Sequence, residues 1–105
     1  MNRYIFYEQQ ARDAGARAKR LQDLQRAWRE RLFQARASAM LLRLADSLFI
    51  TPLVTVPQTQ RLLGVTYRSA KANVEKLVHA GILRQTGESS YGKMYLAPEL
   101  LEVII

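Results

Sequence analysis

A chain of 105 residues with 49% hydrophobic and 24% charged side chains has the balance of one folded domain around a single modest core, not of a disordered segment. Zero cysteines exclude disulfides and thiolate metal sites, a single histidine leaves little for a zinc or acid-base centre, and no apolar run is long enough to span a bilayer; a cytoplasmic protein with no catalytic residues, metal or cofactor is expected. The formal charge of +7 and the pI near 10.3 invite an anionic partner, yet residues 1–36 hold nine basic side chains against four acidic ones, and residues 37–105 only seven against five.

In chain order, the stretch from about Tyr7 to Phe33 has no proline, one glycine and many Ala, Arg, Gln and Leu residues, which predicts one long helix. Leu21, Leu24, Trp28, Leu32 and Ala35 recur at spacings of three and four and form an apolar stripe. Arg31 interrupts any sustained heptad seam, so packing on a domain or a short antiparallel pair is expected in place of a long coiled coil. Near Arg36-Ala37-Ser38 the pattern turns apolar, and Met40 to Ile50 reads as a buried helix whose inner face is Leu41, Leu44, Ala45 and Leu48. Ser38 either caps this helix or rides inside a continuous one, and Thr51-Pro52 ends it. A domain boundary at 36–37 follows, with a basic linker helix before it.

Leu53 to Val56 is a short β-branched run between two prolines, suited to an edge strand. Pro57 opens the next helix, which runs through Leu62 and Leu63 and stops at Gly64. After a short turn Thr66 caps a third helix reaching about Ala80, with Ala70, Val74, Leu77 and Val78 inward. Gly81 to Gln85 then forms a strand, Thr86 to Ser90 a polar turn, and Tyr91 to Leu96 the return strand; Pro98 leads into a short amphipathic tail. Helix, strand, helix, glycine turn, helix and hairpin in that order predict a mainly α fold with a small β wing: a winged helix-turn-helix at 37–105 behind a long amphipathic helix at 1–36.

In such a fold the second helix of the pair lies in the DNA major groove. Thr66, Tyr67, Arg68 and Lys71 are therefore the candidate contacts on that helix, beside Ala72, and Lys93 and Arg84 those on the wing. Glu88 at the wing tip suits a polyanion poorly, and Glu75 on the same helix face leaves a merely solvated surface as the competing reading. His79 at the helix end fits a favourable cation at the dipole's negative pole, not catalysis. Tyr91 and Tyr95 suggest sheet packing more than base stacking, and Asn73, near the inner face, needs a hydrogen-bond partner. The stripe of Leu21, Leu24, Trp28 and Leu32 looks too large for one small domain to cover, so a homodimer or partner interface is expected there.

Three stretches, LLRLADSLFITPLVTV at 41–56, LLGVTYRSAKANVEKLVHAGILRQ at 62–85 and GKMYLAPELLEVI at 92–104, resemble the carboxy-terminal winged-helix region of Fic-family proteins, and the front helix is similar to that family's linker. Fic proteins move AMP from ATP onto hydroxyl side chains with an H-x-F-x-[DE]-G-N-x-x-R loop in a preceding helical domain. His79 is followed by Ala80-Gly81-Ile82, so no catalytic residue carries over. The resemblance implies a non-catalytic module from the end of such a protein. Two functions follow as expectations: a binder of double-stranded DNA that acts in transcription regulation, or an interaction or dimerisation module that positions or restrains an adjacent Fic catalytic domain.

Overall fold

The computed structural model describes residues 3–89 and 92–105, with side chains for residues 15–87 and 92–105. Tyr91, one of the two wing tyrosines singled out above, and the side chain of Glu88 lie outside that set. The elements are α1 (Arg3–Gln34), α2 (Ala39–Ser47), β1 (Leu53–Thr55), α3 (Val56–Leu63), α4 (Tyr67–His79), β2 (Arg84–Ser89), β3 (Gly92–Leu96) and α5 (Pro98–Ile104). Mainly helical, with an antiparallel three-stranded sheet in the order β1-β3-β2, the chain is a winged helix-turn-helix.

Local chemistry fixes each boundary. α1 does not run into α2, because Arg36 adopts a left-handed backbone with φ of 55°. The Ala37 N–H then reaches back to the Leu32 carbonyl at 2.9 Å and the Arg36 N–H to Phe33 at 3.0 Å, the two bonds of a Schellman closure. Ser38 caps the new helix, its hydroxyl accepting from the Leu41 N–H at 3.2 Å, which decides between the two roles open to it in the sequence. β1 stops at Thr55 because that residue caps α3: its hydroxyl accepts from the Gln58 N–H while the Gln58 side chain accepts from the Thr55 N–H, a reciprocal capping box, with Pro57 in the first turn. Gly64, at φ of 65°, ends α3, and Thr66 caps α4 through the Ser69 N–H at 3.2 Å.

The wing departs from expectation at both ends of its first strand. Gly81 belongs to the end of α4, not to a strand: its N–H donates to Val78 and that of Ile82 to Leu77, and Ile82 and Leu77, both 0% exposed, meet beneath the turn. β2 begins at Arg84 and continues through Ser89, so the polar residues 86–89 are strand, not turn. An extra residue is accommodated between Gln85, opposite Tyr95, and Gly87, opposite Met94, leaving Thr86 in a bulge.

Leu41, Leu44, Ala45 and Leu48 are buried as expected, together with Val54, Val56, Leu63, Ala70, Val74, Leu77, Ile82, Leu83, Tyr95, Ala97 and Leu100. Trp28 and Leu32 belong to the same core at 1% exposure each, and Leu21 and Leu24 pack against it half-buried. This corrects the expectation of an uncovered stripe. The chain itself covers Trp28 and Leu32, so neither faces a second molecule unless the core opens. The Trp28 ring stands 5.0 Å from that of Phe49 at a tilt of 60°. Its indole N–H is buried without a hydrogen-bond partner among the described residues.

Polar ties hold α1 to the rest. Arg29 pairs with Asp46 of α2 at 2.7 Å, and Gln25 donates to the other oxygen of the same carboxylate at 3.3 Å. Arg31 reaches two elements at once: one nitrogen donates at 3.1 Å both to the Ala80 carbonyl, at the end of α4, and to Glu99 of α5. The arginine that interrupts the heptad seam is thus the residue that joins three helices. A cation there also suits the partial negative charge of the α4 carboxyl end.

Candidate nucleic-acid interface

α4 presents two faces. Ala70, Asn73, Val74 and Leu77 are buried against the core, while Thr66, Tyr67, Arg68, Lys71, Ala72 and Glu75 are exposed. The buried Asn73 finds its partner within the helix, its amide donating to the Ser69 carbonyl at 2.9 Å, so it stays with the structural side of α4. The Nδ1 of His79 lies 2.8 Å from the Glu75 carbonyl, the position of a helix-end residue engaged with its own backbone. Thr66 is exposed, but its hydroxyl is occupied by the cap to Ser69 and its carbonyl by the Ala70 N–H.

Between α4 and the wing runs a cleft of about 340 Å³ lined by Val56, Pro57, Tyr67, Lys71, Gly92, Lys93 and Tyr95. The fold thus brings three of the six candidate contacts, Tyr67, Lys71 and Lys93, to one feature built from two elements. Arg68 stands exposed beside them, at 100° round α4 from Tyr67. Arg84 is also exposed but lies apart: it pairs with Leu96 at the base of the wing, whereas Lys93 pairs with Glu88 three residues along β3, a separation of about 10 Å. Tyr95 is 6% exposed, with one edge on the cleft and its body in the core, which accords with the packing role read from its alternation.

Val56, Pro57 and Gly92, which also line the cleft, were not among the candidate contacts read from the sequence. Gly92 gives no signal there, because its place in the cleft depends on the register of the hairpin.

The electrostatics of the face depend on α1. Of the five acidic residues of the winged part, Asp46 and Glu99 are ion-paired with Arg29 and Arg31. Glu75, Glu88 and Glu102 then remain to offset Arg43, Arg61, Arg68, Lys71, Lys76, Arg84 and Lys93. The low net charge of residues 37–105 in the sequence therefore understates how positive the surface away from α1 is. Among the described residues no cluster of three or more His, Asp or Glu side chains suited to a metal ion occurs, and no helix is long and apolar enough to cross a membrane.

No family model and no curated protein matches the chain. Neither comparison supports the resemblance to Fic proteins. Among solved structures, a MarR family transcriptional regulator from Silicibacter pomeroyi DSS is similar in fold, with a TM-score of 0.56 and 16% identity over 81% of this chain. The chain spans 58% of that regulator's length. Likeness at this identity establishes the fold alone, a winged helix-turn-helix.

Proposed function

We infer that the chain is a non-catalytic module that binds duplex DNA in transcription regulation, with α4 against the major groove and the wing over flanking phosphates. One observation carries the reading: Lys71 on α4 and Lys93 on β3 line a single cleft, with the half-exposed Tyr67 at 54% between the two elements and Arg68 alongside. Phosphate contacts of this kind fix register, and a guanidinium beside them is suited to the acceptor edge of guanine. Each phosphate neutralised releases counterions, so affinity falls with salt by a slope of about 0.9 per contact. Titrating a labelled duplex at two salt concentrations tests the reading. Arg68→Glu with Lys71→Glu is expected to weaken binding strongly and to reduce the slope by at least about one, the share of the Lys71 phosphate contact. Unchanged affinity in the double variant, or no binding by the wild type at low salt, overturns it.

A second reading is an interaction module that positions or restrains a neighbouring domain, a Fic catalytic domain being the case implied by the three resembling stretches. The exposure of Phe33 at 82%, outside the lining of the basic cleft, favours such a contact. The two readings use different surfaces. An upstream reading frame encoding the H-x-F-x-[DE]-G-N-x-x-R loop would support the Fic case, and one without it would remove that case.

A further inference from the structure

The corner between α1 and α2 carries two features that folding does not require. Phe33, in the last turn of α1, lies about 140° round the helix from the buried Trp28 and is the most exposed aromatic side chain among the described residues. Three residues on, Arg36 holds the left-handed conformation. A side chain there costs about 1–2 kcal/mol relative to glycine, the residue that closures of this kind ordinarily use. An uncovered phenyl ring and an arginine kept against backbone strain are independent departures from the most stable choice, and both face one groove.

That groove, of about 920 Å³, is lined by Arg26, Arg29, Glu30, Phe33, Gln34, Arg36, Ala37 and Leu42. Phe33, Ala37 and Leu42 are its apolar part. Of the three guanidinium groups on its rim, that of Arg29 is engaged by Asp46, while Arg26 and Arg36 have no ion-pair partner among the described residues. Glu30 is the single acid facing them, so the rim is positive. None of these residues lines the cleft between α4 and the wing.

We propose that this groove docks an acidic amphipathic helix of a protein partner, whose bulky apolar side chain covers Phe33 and whose carboxylates meet Arg26 and Arg36. Apolar burial at the centre with charge pairing at the rim is the usual anatomy of a helix-in-groove contact. The proposal does not depend on DNA binding, because the residues involved are separate from α4 and the wing.

The test uses a labelled helical peptide of about four turns, with leucine and phenylalanine on one face and glutamate elsewhere. One counterpart carries lysine for each glutamate, and another alanine for each apolar residue. The acidic amphipathic peptide is expected to bind and both counterparts to bind far more weakly. Phe33→Ala, at an exposed position, should reduce affinity about tenfold or more, as loss of a buried phenyl does. Arg36→Gly is the sharper variant: it removes the strain and one cation together, so affinity should fall about threefold while the thermal midpoint rises by a few degrees. A merely structural role for Arg36 moves both quantities in the same direction. No binding by the acidic peptide, equal binding by its lysine counterpart, or full affinity in both variants overturns the proposal. So does self-association of the wild type that Phe33→Ala abolishes, which would assign the groove to a second copy.

Discussion

Truncating Trp28 to alanine tests whether α1 is a detachable linker or a wall of the domain. The indole is 1% exposed and meets Phe49 at 5.0 Å. An aromatic side chain of this kind buries about 150–250 Å², worth about 4–6 kcal/mol at about 25 cal/mol per Å². The tilted ring pair adds about 0.5–1.5 kcal/mol. Against this stands the buried indole N–H, which has no partner among the described residues and whose desolvation costs about 1–3 kcal/mol. The balance is about 1.5–6.5 kcal/mol, bracketing the about 3–5 kcal/mol that truncation of a buried tryptophan costs, a large fraction of the about 5–15 kcal/mol that holds a typical domain. Urea unfolding followed by circular dichroism should show Trp28→Ala destabilised by about 3–5 kcal/mol. Trp28→Asp with Leu32→Asp should yield an unfolded chain, not a folded monomer. A cost below about 1 kcal/mol for Trp28→Ala, typical of a surface site, would refute the packing argument.

Other substitutions test other links in the same chain of reasoning. Arg31→Met removes both the α4 carboxyl-end contact and the Glu99 ion pair, and with both carboxylate and guanidinium about two-fifths exposed the loss should be about 1 kcal/mol in denaturant unfolding and smaller at high salt. Gly64→Ala meets no atom within 4 Å, so its cost should be the left-handed backbone alone, about 1 kcal/mol by thermal unfolding. Thr66→Ala removes the α4 cap and should destabilise by about 1 kcal/mol, whereas Thr66→Ser should leave stability nearly unchanged. Each is read against the wild type in the same buffer, and a null effect would remove the corresponding contact from the account.

What could be read in the sequence was set by local chemistry. The Gly64 stop, the Thr66 cap and the inner faces of α2 and α4 follow from signals a few residues apart, and the structure has them in place. The capping box at Thr55 and Gln58 had an equally local signature in its threonine-x-x-glutamine spacing, but the β-branched run through Val56 masked it as strand. Arg36 carried no signal at all, since nothing in an arginine announces a left-handed turn. The wing's extent was missed because Thr86 to Ser89 look like turn residues in isolation, while pairing with β3 and one bulge make them strand. The packing of α1 on the domain was foreseen, but the interface reading of Trp28 was wrong and the partners of Arg31 were not foreseen, for a different reason. Their partners Ala80, Glu99 and Phe49 are 49, 68 and 21 positions away, and periodicity along one helix says which face is apolar without saying what covers it.

The cleft is likewise a product of register: Lys93 lines it with Lys71 because β3 is the middle strand and the hairpin pairs as it does. Charge along the sequence pointed instead to the front helix, where Arg17, Lys19 and Arg20 are exposed. The most direct measurement is therefore amide chemical-shift mapping of the uniformly labelled protein as a short duplex is added at low salt. The account predicts shifts at Tyr67, Arg68, Lys71, Gly92 and Lys93 that disappear together as salt is raised, with residues 15–20 of α1 unmoved. Shifts confined to Arg17, Lys19 and Arg20, with α4 and the wing silent, would contradict it.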